Sequence, residues 1–451
     1  MLEDTTIVAV ATPPGRGGIG VVRLSGADAQ RITVALLPKL SALAPRTACY
    51  GILRDASGER VDDAVVTFYA GPHSYTGEDV VEIATHGSPV VLDWLVRACV
   101  DRGATPARAG EFTERAFLRG RLDLTEAEAV RDLIDAQTVE QAKLAAQQMD
   151  GSIAADVRPA KDALIVLIAT LEAGIDFAED DTPVMSAQDI TATLANVMQP
   201  LHALLATFAH GRLLREGMQL AIVGRPNAGK SSLFNRLVEQ NRAIVTATPG
   251  TTRDVIAERV SMGGVPVELL DTAGLRETDD EAERQGVERS RRALADADAV
   301  LLVLDCSDAT PLDGALLATL EGRRCLVALN KADLPVATLT LPPALEPLAV
   351  IATSAVTGAG IPELRAAIVQ TAQGGAHASG GATLTNLRQQ GTVTMALAAL
   401  QRASDAAIQH TPHEMVLLDV YEGLRSLDEL TGQTTPDDIL NLIFSSFCIG
   451  K

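Results

Sequence analysis

A chain of 451 residues is too long for one compact core, and its 47% hydrophobic content is that of packed domains rather than of a disordered chain. With 58 Asp and Glu against 38 Lys and Arg, the formal charge of −20 excludes broad electrostatic binding to polyanions, so a nucleic-acid role requires a local basic patch or a partner. The opening MLEDTTIVAVATPPGRGG lacks a basic segment followed by an apolar core, and no uninterrupted apolar run of about 18 residues occurs, so a soluble, cytoplasmic protein with no membrane association is expected.

Residues 1–118 combine short β-type runs at Thr6–Val10, Gly20–Leu24, Ala64–Tyr69 and Val80–Ala84 with Gly/Pro punctuation and an amphipathic helix near Val90–Val100, the pattern of an α+β domain. From Thr125 the period changes: Thr125 and Glu128 read as a capping box, and Val130, Leu133 and Ile134 continue a helical stripe. A second stripe, Leu164, Leu167, Ile168, Leu171 and Ile175, extends the helical region, assigned to residues 119–215. Residues 216–375 alternate apolar strands (MQLAIVG, PVELLDTAG, AVLLVLD, RCLVALNKAD) with helical segments, as in a parallel doubly wound sheet. QGGAHASGG, 373–381, reads as a linker. Helical stripes resume over 376–451, with Leu417, Val420, Tyr421, Leu424 and Leu427 in one helix and Thr435-Pro436 opening another. The expected fold class is therefore multidomain α/β plus α, an N-terminal α+β domain and a discontinuous helical domain interrupted by an α/β insertion.

The insertion carries nucleotide chemistry. GRPNAGKS, Gly224–Ser231, fits G-x-x-x-x-G-K-[ST] directly after a strand, where the amides of Asn227, Ala228, Gly229, Lys230, Ser231 and Ser232 can cradle phosphates, Lys230 reach the β/γ-phosphates and Ser231 ligate Mg²⁺. Asp271-Thr272-Ala273-Gly274 ends another strand, beside the metal and γ-phosphate. Asn330-Lys331-Ala332-Asp333 ends a third, and a carboxylate there accepts from the N1 and N2 donors of guanine, which adenine lacks. Ser354-Ala355 completes the base pocket. Between the first two motifs lie Thr246, Ala247, Thr248, Pro249, Gly250, Thr251 and Thr252, of which Thr252 can ligate Mg²⁺ when a γ-phosphate orders the loop. Four motifs in order predict a Ras-like P-loop GTPase domain that binds GTP and Mg²⁺.

Other segments narrow the choice. ATPPGRGGIGVVRLSG, SYTGEDVVEI, GEFTERAFLRGRLDL, IDFAEDD and FCIGK together make the whole chain resemble the tRNA-modification GTPases called MnmE or TrmE. The resemblance implies a homodimer formed through the N-terminal domain, which acts with the flavoprotein MnmG on C5 of the wobble uridine of certain tRNAs. It also implies an N-terminal site for a tetrahydrofolate derivative, in the 5-formyl or 5,10-methylene form, at Arg23, Glu82, Arg121 and Lys451. Here Arg121 stands where the family usually has Lys, Ala109-Gly110-Glu111-Phe112 stands for P-G-E-F, and His86-Gly87-Ser88 for His-Gly-Gly. On the residues alone, Arg23 and Glu82 also read as a surface salt bridge. The rival family is that of Era-type switches in ribosome assembly, but no GXXG-bearing basic module follows residue 375.

Three further residue sets follow. The amide of Asn227, with Thr246, Thr248 and Thr251, is expected to hold K⁺ and so stimulate hydrolysis; Asn227 also reads as a turn-stabilising amide. Leu275 occupies the position where Ras-like enzymes keep a water-orienting Gln, and the resemblance assigns that catalytic role to Glu283. Cys448 reads as a buried structural thiol beside Phe444 and Phe447, and His86 as either a base or a turn or core histidine; neither is assigned to the site.

Overall fold

The computed structural model describes residues 5–37, 42–176, 185–239, 257–271, 294–308, 310, 312, 314–335, 347–373, 381–433, 443–445 and 447–450. The chain divides into two units, Met1–Arg131 with Leu427–Lys451, and Asp132–Ser426.

The first unit is built on strands β1 (Ile7–Val10), β2 (Gly17–Ser25), β3 (Ala48–Arg54), β4 (Arg60–Tyr69), β5 (Val80–Gly87) and β6 (Thr105–Pro106), in the spatial order β3-β4-β5-β2-β1-β6. All neighbours are antiparallel except β1 and β6. Alternation along VVRLS and VVEIA sends Val22, Leu24, Val81 and Ile83 to one face, where they pack with Ile32, Leu36, Leu92 and Leu95 of the helices Ala29–Leu36 and Pro89–Val100. Each fully buried aliphatic side chain contributes about 1.5–3 kcal/mol. The same alternation, with Arg23 paired to Glu82 across β2 and β5, places those two on the opposite face.

Helix Glu111–Leu118 starts at Gly110, whose φ of +70° and close approach to the chain (a Cβ there would lie 2.5 Å from Phe444 O) admit only glycine. Residues 443–445 and 447–450 dock here. Phe444 and Phe447 are buried, with ring centroids 5.6 Å apart, and Phe444 lies 6.2 Å from Phe117. Cys448 is exposed, contrary to the buried thiol expected. The two phenylalanines take the inward positions, and Cys448 contributes only its carbonyl, which accepts from Gly110 N at 3.4 Å. A second correction concerns the helix Leu124–Asp135. Its cap is Asp123, whose Oδ1 accepts from Glu126 N at 2.9 Å while Glu126 returns a carboxylate to Asp123 N at 2.7 Å. Thr125 is already inside the helix and donates to Asp123, so the box sits two residues earlier than Thr125 and Glu128 suggested.

In the second unit, helices Val139–Met149, Ser152–Asp176, Ala187–Ala206 and Leu387–Ile408 form a bundle around Leu164, Leu171, Leu194, Leu201 and Leu400, all buried. Segments before and after the α/β insertion are tied directly: Gln148 Nε2 donates to Thr383 O at 2.7 Å, and Leu384 N to Thr207 Oγ1 at 3.1 Å. The helical domain is thus discontinuous in sequence. Tyr421, placed in the apolar stripe, instead lies outward, 45% exposed, and donates to Glu172. Of the linker read at 373–381, Gln373 still belongs to helix Ile361–Gln373; residues 374–380 and the start at Thr435-Pro436 lie outside the described residues.

The insertion holds β7 (Met218–Gly224), β8 (Ala257–Met262), β9 (Val265–Asp271), β10 (Ala299–Asp305), β11 (Cys325–Asn330) and β12 (Ala349–Ala352), in the order β12-β11-β10-β7-β9-β8. The sheet is parallel except at β8, an antiparallel edge strand joined to β9 through Gly263-Gly264. Residues 220–223, 299–304 and 325–328 of the central strands β7, β10 and β11 are all apolar because the strands are buried on both faces. Among the described residues no helix is long and apolar enough to cross a membrane.

Candidate functional site

The site lies at the carboxyl ends of β7, β9, β10 and β11, the usual location in an open α/β sheet. β7 ends at Gly224, φ +153°, where a Cβ would lie 2.3 Å from Val303 O. Asn227 and Gly229 then adopt φ of +65° and +89°, and helix Lys230–Glu239 begins. Left-handed residues on either side of Ala228, just before a helix, help make a concave nest of N–H groups that fits an anion. Lys230 is half-buried and donates to Gly224 O at 2.9 Å and Arg225 O at 2.8 Å, so its ammonium is already drawn over the loop. Burial pulls its pKa below the ordinary lysine value, against the opposing pull of Asp271.

Beside it, Asp271 Oδ1 is buried with no hydrogen-bond partner among the described residues, and Oδ2 stands 3.5 Å from Ser231 Oγ. An orphaned carboxylate oxygen beside a loosely held hydroxyl suits a hard divalent cation, which takes oxygen ligands. The residues present therefore fit Mg²⁺.

The base end is held by Asn330. Its Nδ2 donates to Ala228 O at 2.9 Å and its Oδ1 accepts from Ala355 N at 3.2 Å, so one buried amide ties the phosphate loop to the base loop. A Cβ at residue 229 would lie 2.2 Å from that Nδ2. Ser354 Oγ donates to Asp333 Oδ1 at 2.6 Å. Because a carboxylate has about four acceptor positions, Asp333 keeps capacity for the two donors of guanine. Ser232, like Ser231 and Asn227, is exposed at the loop. Sequence reasoning passed over Arg236, which donates to Ala355 O at 3.2 Å and Val356 O at 2.8 Å and braces the base loop from the phosphate-side helix. Its contacts are too distant in sequence to be read from a motif. Thr246, Ala247, Thr248, Pro249, Gly250, Thr251, Thr252, Thr272, Ala273, Gly274 and Glu283 lie outside the described residues.

In the first unit, Arg23 Nε and Nη2 both donate to Glu82 Oε1, at 3.0 and 2.8 Å. The guanidinium lies 5.5 Å from the Tyr75 ring centroid and 5.8 Å from that of Phe112, a cation enclosed by two aromatic faces. Arg121 is exposed and passes beside Gly77, in the same 70–79 segment as Tyr75. Lys451 lies outside the described residues. That segment is anchored by a network missing from the sequence reading: Arg115, 3% exposed, donates to Thr5 O, Glu78 and Glu111, while Glu78 also accepts from Ser25 and Arg119. The only signal was that its charged members, Glu78, Glu111, Arg115 and Arg119, fall inside SYTGEDVVEI and GEFTERAFLRG. His86 is an exposed imidazole paired to Asp62 at 2.7 Å. Burial raises the Asp62 pKa, but the bonds from His86 outweigh it and the net shift is downward. All five cysteines are free thiols, with burial pushing Cys99 up to about 12 and Cys325 up to about 11.

Residues 6–121 match the family described as the GTP-binding protein TrmE N-terminus, and residues 124–448 the MnmE helical domain. The chain is 52% identical to the tRNA modification GTPase MnmE of Koribacter versatilis over 99% of both chains, and 41% identical to that of Aquifex aeolicus over 99% of both. Among solved structures, the G domain of the T. maritima FeoB iron transporter is 29% identical with a TM-score of 0.25, covering 35% of this chain and 99% of that one.

Proposed function

We propose, since the chain belongs to the MnmE family of tRNA modification GTPases, that its hydrolysis of GTP is potassium-stimulated and drives modification of the wobble uridine at C5, together with the flavoprotein MnmG. The observation that carries this reading is the single buried amide of Asn330, which joins a phosphate nest to a base pocket with a carboxylate acceptor and so makes one continuous guanine-nucleotide site. Asn227, Ala228, Gly229, Lys230, Ser231 and Ser232 hold the phosphates. Asp333, with Ser354 and Ala355, selects guanine, and Lys331 flanks it. When bound, Mg²⁺ neutralises charge at the β- and γ-phosphate oxygens; Ser231 and Thr252 hold it, and Asp271 stands behind. Asn227, Thr246, Thr248 and Thr251 hold K⁺. Glu283 orients the attacking water, the task that Leu275 is unable to perform.

Arg23, Glu82, Arg121 and Lys451 hold a tetrahydrofolate one-carbon donor in residues 1–118, which also form the homodimer contact. Residues 119–215 and 376–451 are the helical domain and 216–375 the GTPase domain. The modified product carries an aminomethyl or carboxymethylaminomethyl group, and the protein works in the cytoplasm. With a net charge of −20, much of the contact to tRNA falls to the partner. Mass spectrometry of wobble nucleosides from cells with and without this gene tests the reading: the modified uridine disappears on its loss, and unchanged modification overturns the wobble-uridine assignment while leaving the GTPase activity standing.

A further inference from the structure

Asp305, the last residue of β10, stands directly opposite Asn330, the last residue of β11. One residue on, Lys331 adopts φ +62°, and its Nζ crosses the strand ends to donate to Asp305 Oδ2 at 2.6 Å. Both partners of this ion pair are themselves braced. Asp305 Oδ1 accepts from Ser307 N at 2.9 Å and Ser307 Oγ at 2.6 Å. Cys306 N donates to Asn330 O at 2.9 Å, and Cys306 Sγ to Lys331 O at 3.1 Å. Burial pushes the Asp305 carboxyl up, but the bonds from Lys331 and Ser307 outweigh it and leave the carboxyl below its ordinary value.

An exposed pair of this kind normally counts for little. Here the exposures are 33% for Lys331 and 17% for Asp305, and the lysine sits between Asn330 and Asp333, at the edge of the base pocket. Its ammonium is paired with a carboxylate of the protein, so the four-carbon stem is held at both ends, by the backbone of residue 331 and by Asp305.

We infer that Asp305 is a positioning residue for the nucleotide base: it clamps the Lys331 stem as a fixed apolar wall against the face of the purine. The inference rests on the reading of Asp333 as the guanine acceptor. An unclamped lysine must surrender its rotamer freedom each time a nucleotide binds, whereas the clamped one surrendered it on folding. Contact with a ring face is blind to the groups on the ring edge. Loss of the clamp therefore weakens GTP, GDP and inosine triphosphate by a common factor, whereas loss of Asp333 changes which base is preferred.

The test measures equilibrium binding of GTP, GDP and inosine triphosphate, and GDP release by stopped flow, on the full-length protein and its Asp305→Asn, Lys331→Ala and doubly substituted forms. Asp305→Asn is expected to weaken all three nucleotides about three- to tenfold, chiefly through faster release. The double variant is expected to bind no worse than Lys331→Ala alone, since the carboxylate acts only through the lysine. Asp333→Asn controls for the base site: its amide can donate to the 2-oxo group of xanthine where the carboxylate accepts from the guanine 2-amino group, so preference is expected to move from GTP to xanthosine triphosphate. With that control behaving, parent-like GDP release from Asp305→Asn, or losses that multiply in the double variant, overturn the inference; a control that keeps its guanine preference overturns the base-site reading instead, and the inference with it. Should Asp305→Asn fail to fold, Ser307→Ala loosens the other oxygen of Asp305 and is expected to lower affinity for the three nucleotides by a smaller common factor, and unchanged affinity there counts against the clamp.

Discussion

Replacing Arg115 by methionine keeps an unbranched, flexible stem and removes the guanidinium with its charge. In the folded protein this arginine is 3% exposed and satisfies two carboxylates, Glu78 at 8% exposure and Glu111 at 11%. After the substitution Glu78 retains Arg119 and Ser25, and Glu111 retains the backbone N–H of Arg108, so neither carboxylate is stripped of every donor. Two anions nevertheless remain near one another with their shared cation gone. Breaking a buried pair in this way costs about 3–5 kcal/mol. At a urea slope of about 2 kcal/mol/M, the unfolding midpoint of the first unit falls by about 1.5–2.5 M. The only tryptophan of the chain, Trp94, packs against the core of that unit, so its fluorescence reports this transition without interference from the rest of the molecule. Arg115→Lys, which keeps the charge but loses the two-pronged geometry, is expected to fall between the two. A shift below about 0.5 M for Arg115→Met shows that the network contributes no more than a surface ion pair, and the account of how residues 70–79 are anchored is then wrong.

Gly229→Ala forces a left-handed alanine and drives its Cβ to 2.2 Å from Asn330 Nδ2; about 1–2 kcal/mol of backbone strain and at least 1 kcal/mol from the displaced amide predict GDP binding weakened about thirtyfold or more, and titration calorimetry with GDP showing parent affinity rejects the strut role of Asn330. Thr138→Val removes an N-cap oxygen that accepts from Gln141 N at 3.1 Å and a hydroxyl that donates to Gly264 O at 2.8 Å. Hydrogen exchange in the first turn of helix Val139–Met149 should then quicken about five- to thirtyfold, corresponding to about 1–2 kcal/mol, and unchanged protection contradicts the capping assignment. The depressed pKa of Asp62 means that its contribution is present above the unfolded value of about 3.9 and is lost as pH falls through the folded value. His86→Ala is accordingly expected to move acid unfolding, followed through Trp94, to higher pH, and an unmoved acid midpoint removes the pair from the stability of the unit.

The nucleotide site was legible because its parts follow β7, β9 and β11, whose largely apolar runs announce buried strands of a parallel sheet, and because the glycines and polar residues that follow are adjacent in sequence. β8 was not, since AERVSM is a short edge strand whose partner is set by the Gly263-Gly264 turn rather than by its own pattern. β3 escaped for a related reason: Gly51 breaks its apolar run to admit Leu37, a contact invisible along the chain. The capping box was misplaced by two residues because Asp123 and Thr125 are both good caps, and only the observed bond from Glu126 N decides between them. Cys448 was expected inside because Phe444 and Phe447 lie close to it in sequence, yet only those two rings turn inward, and Cys448 and Ile449 both face outward. Arg115 with Glu78, and Asp305 with Lys331, join residues far apart in sequence, and no local rule pairs them.

The docking of Phe444 and Phe447 beside helix Glu111–Leu118 sets an order of events for a chain leaving the ribosome. Phe117, against which Phe444 packs and which comes within 2.6 Å of a Cβ built at Gly432, is synthesised long before either partner. At about 5–20 residues per second, the surface waiting for the tail stays uncovered for on the order of tens of seconds. Throughout that interval the first unit has its sheet but not its seal, and it meets cellular chaperones and proteases with an aromatic patch in view. Synthesis of Phe444 and Phe447 is thereby converted into a packing event, and a polypeptide that stops short of them keeps that patch exposed to quality control.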